Sequence, residues 1–170
     1  MMKLRAIEIA DLPFLYQWEN DAATWADSDT HNPLSKHLLR EYIESSTGDI
    51  YKDGQLRLII DDEGETLGCI DLFDLDPRSR KAAIGMYVAP PARGRGVGKQ
   101  AVQLLEDYAA NFLHLHMLYA IISERNDACR TIYEKAGFLA CSKLKDWILQ
   151  SDSTYCDAIV YQKVYEANLL

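Results

Sequence analysis

Arg93-Gly94-Arg95-Gly96-Val97-Gly98 is the densest chemical signal in this 170-residue chain. An apolar run, Ile84-Gly85-Met86-Tyr87-Val88, precedes it. An amphipathic pattern over 99–112 follows, with Ala101, Leu104, Leu105, Tyr108, Ala109 and Phe112 on one helical face. A strand that passes through a glycine-rich loop into a helix N-terminus offers unpaired backbone N–H groups to an anion. The glycines permit close approach, while Arg93, Arg95 and Lys99 add positive charge. The guest that such a loop selects is a phosphorylated cofactor. The wider stretch 77–105 holds six basic residues and no Asp or Glu, although the net charge of the chain is −8. Residues 61–76 are the opposite, with seven acids and no base. Asp61 to Glu65 reads as a solvated hairpin turn. Asp71 and Asp74 fall in or just after a strand, where they either orient a cationic substrate or cap the strand end.

Three glycine motifs compete for the loop. The P-loop pattern G-x-x-x-x-G-K-[ST] fails twice, because Arg93 stands at its first glycine and Gln100 at the Ser/Thr that would bind magnesium. The relaxed dinucleotide pattern G-x-G-x-x-A matches Gly96, Gly98 and Ala101. Two prolines, Pro90 and Pro91, separate it from the strand, however, and no acid closes the next strand. The third pattern, [Q/R]-x-x-G-x-[G/A], fits residues 93–98 throughout.

The elements around the loop follow from periodicity. A strand opens the chain at Lys3 to Ile7. Asp11 stands where it can N-cap a helix with Pro13 in its first turn, running through Leu15 and Trp18. Ser35 to about Ser45 reads as a second helix. Residues 56–60, 66–72 and 81–88 read as strands, the first two joined by Asp61-Asp62-Glu63-Gly64-Glu65. Met117 to Ile122 is a further strand, and Asp127 to Ala136 a helix with Asn126 or Asp127 as N-cap and Gly137 as C′ residue. Two closing strands, 138–147 and 154–165, pair antiparallel. The fold class is α+β, a mixed sheet with one β–loop–α–β crossover in the middle.

Composition bounds the rest. The chain reads as one domain, 1–170, with 48% apolar and 26% charged residues. No apolar run approaches the length of a membrane span, and the N-terminus lacks a signal-peptide core, so no membrane partner is expected and the cytoplasm is the expected compartment. The acidic balance argues against a nucleic-acid partner. Cys69, Cys129, Cys141 and Cys156 form no C-x-x-C pair and read as reduced thiols, with no metal site. The histidines His31, His37, His114 and His116 have no triad context. A closing strand rich in Tyr and Val raises the expectation of a homodimer.

A second segment reinforces the loop. Asn126-Asp127-Ala128-Cys129-Arg130-Thr131-Ile132-Tyr133-Glu134-Lys135-Ala136-Gly137-Phe138 resembles N-x-x-A-x-x-[LI]-Y-x-x-x-G-F, and together with residues 86–98 it resembles the GNAT (Gcn5-related) N-acetyltransferases. The opening, Leu4-Arg5-Ala6 through Trp18-Glu19-Asn20-Asp21, is similar to the subgroup of ribosomal-protein N-terminal and spermidine acetyltransferases, as are Asp71-Leu72-Phe73-Asp74 and Tyr155-x-Asp157-x-x-x-Tyr161. The resemblance spans nearly the whole chain. It implies the GNAT fold, a mostly antiparallel central sheet splayed at a bulge and flanked by helices. It also implies acetyl-CoA as co-substrate and a primary amine as acceptor, either a small cationic amine or a peptide α-amino group.

In that resemblance, loop residues Arg93, Gly94, Arg95, Gly96, Val97 and Gly98, with Lys99, hold the pyrophosphate. The strand Met86, Tyr87 and Val88 pairs its backbone with the pantetheine arm. Asn126 bonds to that arm, and Tyr133 protonates the departing thiolate. Relatives often carry Glu where this chain has Ala83, or on the strand where it has Ile121 and Ile122. A base is therefore sought among Asp71, Asp74, Glu124 and water. A non-catalytic acyl-CoA sensor of the same fold and a dinucleotide-binding enzyme stand as alternatives.

Overall fold

The computed structural model describes residues 1–25, 32–150 and 152–165. Seven strands form one sheet: β1 (Met2–Ala6), β2 (Leu56–Asp62), β3 (Glu65–Asp76), β4 (Lys81–Val88), β5 (Met117–Ser123), β6 (Leu139–Leu149) and β7 (Tyr155–Val164). Their spatial order is β1-β2-β3-β4-β5-β7-β6. Every neighbouring pair is antiparallel except β4 and β5. That parallel pair needs a crossover, which the helix α5 (Val97–Asn111) supplies. The other helices are α1 (Leu12–Glu19), α2 (Ala22–Trp25), α3 (Lys36–Ser45), α4 (Ile50–Asp53) and α6 (Asp127–Lys135). No helix among the described residues is long and apolar enough to cross a membrane.

Strand alternation divides the core into two layers. Ile60, Ile70 and Leu72 pack with Leu105, Leu118, Tyr133 and Phe138 beneath α5 and α6. Their neighbours Ile59 and Cys69 turn to the opposite face, against Leu15 and Trp18 of α1 and Leu39 and Ile43 of α3. The sheet is thus covered on both sides at β2–β4.

Two sequence expectations change on contact with the structure. Asp11 precedes α1, but no side-chain cap bond runs from it into that helix. Its carboxylate instead accepts the Glu8 N–H at 2.9 Å and both terminal nitrogens of Arg5 at 2.8 Å. Asp61 is not solvated. It is 4% exposed and accepts Arg5 Nε at 3.1 Å and the Gly64 N–H at 3.2 Å. One guanidinium fork satisfies two buried carboxylates, which is why both can leave water.

This cluster makes stability depend on acid. Burial pushes the Asp11 carboxyl up, but the Arg5 bonds outweigh it and hold the group below the ordinary carboxylate range. Arg5 does the same to Asp61. The unfolded chain therefore binds more protons than the folded one as these groups titrate. Their contribution is complete above about pH 4 and is lost as pH falls through the lower folded values. Asp11→Asn should cost about 2 kcal/mol at pH 7, with a smaller penalty at pH 3, as measured by urea unfolding at both values.

Candidate active site

The parallel ladder between β4 and β5 lasts three register pairs, Lys81↔Met117, Ala82↔Leu118 and Ala83↔Tyr119. Beyond Ala83 the strands diverge, and the residues Ile84–Val88 line one wall of a V. An irregularity in the β3–β4 ladder between Phe73 and Asp76, where Asp74 has φ 49°, flanks the point of divergence. The orientation of the free wall follows from parity. The Ala89 N–H bonds to the Leu67 carbonyl, and the Tyr87 carbonyl lies against Gly68, so odd-numbered residues direct their backbone groups to β3. Met86 and Val88 direct theirs into the V. An extended amide chain laid there would complete the ladder.

At the mouth of the V, Gly94 (φ 74°) and Gly96 (φ 81°) occupy left-handed conformations that bend the chain into α5. The helix begins at Val97, two residues before the sequence pattern indicates, because Gly96 is its N-cap. No side chain caps it. The N–H groups of Val97, Gly98 and Lys99 therefore head a 15-residue helix with no intrahelical partner, in the positive end of its dipole. Gly98 also sits where a Cβ would meet Ile132 Cδ1 and Met86 Cε, which lets α5 approach β4 and α6. The Met86 side chain is thus core while its backbone faces the V.

Arg93 and Arg95 diverge from the loop. Arg93 Nε donates to the Val88 carbonyl at 2.9 Å, and its guanidinium lies 5.7 Å from the Tyr87 ring centroid. The Tyr87 ring in turn stacks at 5.2 Å on Trp18. Arg93 thereby splints the loop to the end of β4. Arg95 lines a separate outer cleft of about 420 Å³ with Met1, Asp62, Glu63 and Gln100.

The second signature segment forms α6 and carries Tyr133. The α6 helix starts at Asn126, whose Oδ1 accepts the Cys129 N–H at 3.0 Å, so the N-cap role is present. Gly137 (φ 88°) ends it as expected. Tyr133, two turns in, is 1% exposed and packs edge-on against Phe138 at 5.1 Å. Every buried side-chain nitrogen or oxygen among the described residues has a partner. Burial first, then the charges of Cys129 and Asp71, push the phenol well above 10, so it is a protonated donor at neutral pH.

A cleft of about 510 Å³ is lined by Tyr42, Asp53, Arg57, Asp71, Phe73 and Asp74, among others. Asp74 faces it next to Tyr119, whose phenol is raised by burial and by that carboxylate. Asp71 is not a lone carboxylate. Arg57 grips it through Nε at 2.9 Å and Nη2 at 2.7 Å, and Glu19 holds the remaining nitrogen, Nη1. Periodicity and motif matching passed over Arg57. The signal was available, since Arg57 and Asp71 stand directly opposite across a hairpin. Glu124 is committed to Lys143 at 3.0 Å and stands away from this cleft. Of the histidines, His37 pairs with Glu41 on α3, and His31 lies outside the described residues. No group of metal-ligating side chains is found among the described residues, and the cysteines there are unbridged.

Known proteins are similar to this chain in sequence and fold. The acetyltransferase (GNAT) domain model matches residues 2–139. The spermidine N(1)-acetyltransferase of Escherichia coli (strain K12) is 27% identical over 140 residues, covering 81% of this chain and 72% of that protein. The crystal structure of spermidine N-acetyltransferase from Vibrio cholerae in complex with CoA and spermine superposes with a TM-score of 0.86 at 22% identity, over 99% of this chain and 98% of that one. The ribosomal α-N-protein acetyltransferase RimL in complex with coenzyme A also superposes at 0.86, with 19% identity over 98% and 96% of the two chains. The chain belongs to the GNAT acetyltransferase family and is, by that membership, an acetyl-CoA-dependent N-acetyltransferase.

Proposed function

We propose that residues 1–170 form one acetyltransferase domain that moves an acetyl group to a cationic primary amine by direct attack, without an acyl-enzyme. The observation that carries this reading is the opening of the sheet after Ala83↔Tyr119, beside the uncapped N-terminus of α5. Bound acetyl-CoA supplies a thioester whose carbonyl carbon forms a C–N bond as its C–S bond breaks. Residues 94–99 hold the pyrophosphate by backbone N–H groups. Met86 and Val88 pair with the pantetheine arm. Arg93 acts through the strand end that it splints, and Asn126 shapes the start of α6. The Tyr133 hydroxyl gives its proton to the leaving sulfur and regains one from the nitrogen, which must shed two protons from its ammonium form. The first goes to water.

The acceptor cleft favours a positive guest. Asp53, Asp71 and Asp74 line it against the one guanidinium of Arg57. We infer a polyamine or a peptide α-amino group, the acceptors named for the relatives. Asp71 and Asp74 orient it. The cytoplasm is the compartment we propose, in keeping with unbridged thiols. A second copy is the partner we propose for β6 and β7, where Leu139, Trp147, Leu149 and Tyr155 are exposed. The test is thiol release from acetyl-CoA over spermidine, spermine and a peptide with a free N-terminus, alongside thermal shifts with acetyl-CoA and NAD. Acetyl-CoA should raise the melting midpoint and at least one amine should release thiol. Stabilisation by NAD alone would sink the reading, and binding of acetyl-CoA with no thiol release for any amine would favour a sensor.

A further inference from the structure

Arg57 is half-buried between three partners, none of which belongs to the loop 93–98. Its fork takes both oxygens of Asp71, and its third nitrogen takes Glu19 at the end of α1. Its plane lies 5.7 Å from the Tyr42 ring centroid of α3. A bidentate pair fixes the rotation of a carboxylate, which a single bond does not. Each Asp71 oxygen keeps a further lone-pair direction for another donor.

The location gives that orientation a use. Asp71 stands opposite Gly85 in the β3–β4 ladder, on the face of the sheet turned to α1 and α3. Gly85 has no side chain, and a Cβ there would meet the Phe73 ring at 3.2 Å. The Phe73 ring therefore covers that register position, and Asp71 and Phe73 both line the cleft that Tyr42 and Asp74 also border. Burial works against the Arg57 charge, but Asp71, Cys69 and Glu19 outweigh it and raise its pKa. The guanidinium is a fixed charge throughout the working range.

We propose that Arg57 is a positioning residue for acetyl transfer: braced by Glu19, it holds the Asp71 carboxylate in the one orientation that accepts a hydrogen bond from the incoming amine. This role rests on the acetyltransfer reading above. It is distinct from a structural ion pair because Arg57 acts on the amine through Asp71 alone.

A double-mutant cycle separates the two, using the fastest acceptor among spermidine, spermine and the peptide. Arg57→Gln and Asp71→Asn should each lower kcat/KM for the amine about 10- to 100-fold, the loss expected for one charge-assisted contact. Both should leave the acetyl-CoA Kd within about twofold. The double variant should be no worse than Asp71→Asn. Calorimetric binding of the amine to CoA-saturated protein should follow the same pattern. Arg57→Lys, which keeps the charge and loses the fork, should recover only part of the activity. Should Arg57→Gln fail to fold, Glu19→Gln keeps the pair and should cost a few-fold in the wild-type background but nothing beside Asp71→Asn. Losses that multiply in the double variant, or that fall on acetyl-CoA affinity, overturn the positioning role while leaving acetyl transfer intact. A wild-type protein that releases no thiol with any amine overturns both.

Discussion

Tyr133→Phe should lower kcat by about 10²- to 10³-fold while the acetyl-CoA Kd stays within about twofold. The ring is fully enclosed and meets Phe138 edge-on, and a Phe keeps both properties. The substitution therefore removes an oxygen without leaving a cavity. In the proposed role, what is lost is the proton for the departing thiolate, a requirement present only as the C–S bond breaks. Such an interaction affects kcat and kcat/KM equally. The check is steady-state thiol release together with calorimetric titration of acetyl-CoA. Equal turnover in the two proteins would remove Tyr133 from the chemistry.

Gly68→Ala is the substitution expected to damage the scaffold most. A Cβ at Gly68 would lie 2.1 Å from the Tyr87 carbonyl oxygen and 3.1 Å from its carbon. Both are backbone atoms in the adjoining strand, so no rotamer change relieves the clash. The ladder must part at Gly68↔Val88, and with it moves the Val88 carbonyl that Arg93 holds. A loss of about 3 kcal/mol is expected in denaturant unfolding, with about tenfold weaker acetyl-CoA binding. Gly98→Ala makes a useful contrast. Its Cβ would meet the far ends of Ile132 and Met86, which can swing aside, so a clearly smaller loss is expected.

The local elements were legible because each carried its own signal. The helix from Ser35 to about Ser45 and the Asn126 and Gly137 boundaries stand as the residues imply. Patterns of that kind depend on near neighbours in the chain. Asp11 and Asp61 went astray for the converse reason. Arg5 decides the environment of both, and what brings it between Asp11, six residues away, and Asp61, 56 residues away, is the folded β1–β2 ladder rather than a local pattern. The glycine turn into a helix N-terminus was legible, yet the directions of Arg93 and Arg95 were not. Side-chain direction depends on the strand end and on the outer hairpin that pack beside them. The Arg57–Asp71 pair lies between these cases. Its register follows from the hairpin that joins β2 to β3, but its importance comes from Glu19, which only the folded α1 brings near.

The short parallel ladder at Lys81–Ala83 has a consequence for how the chain assembles. Strands β1 to β4 are all antiparallel neighbours, and their registers are set within the first 88 residues. Strands β5 to β7 are likewise wired among themselves from Met117 onward. Three register pairs join the two groups, with α5 packed across both. Two cooperative units are expected, each closing its own local loops, with the three-residue seam forming last. The seam expected to dock late in folding is also the point from which the two strands part, so the shortest ladder in the sheet borders the proposed donor site.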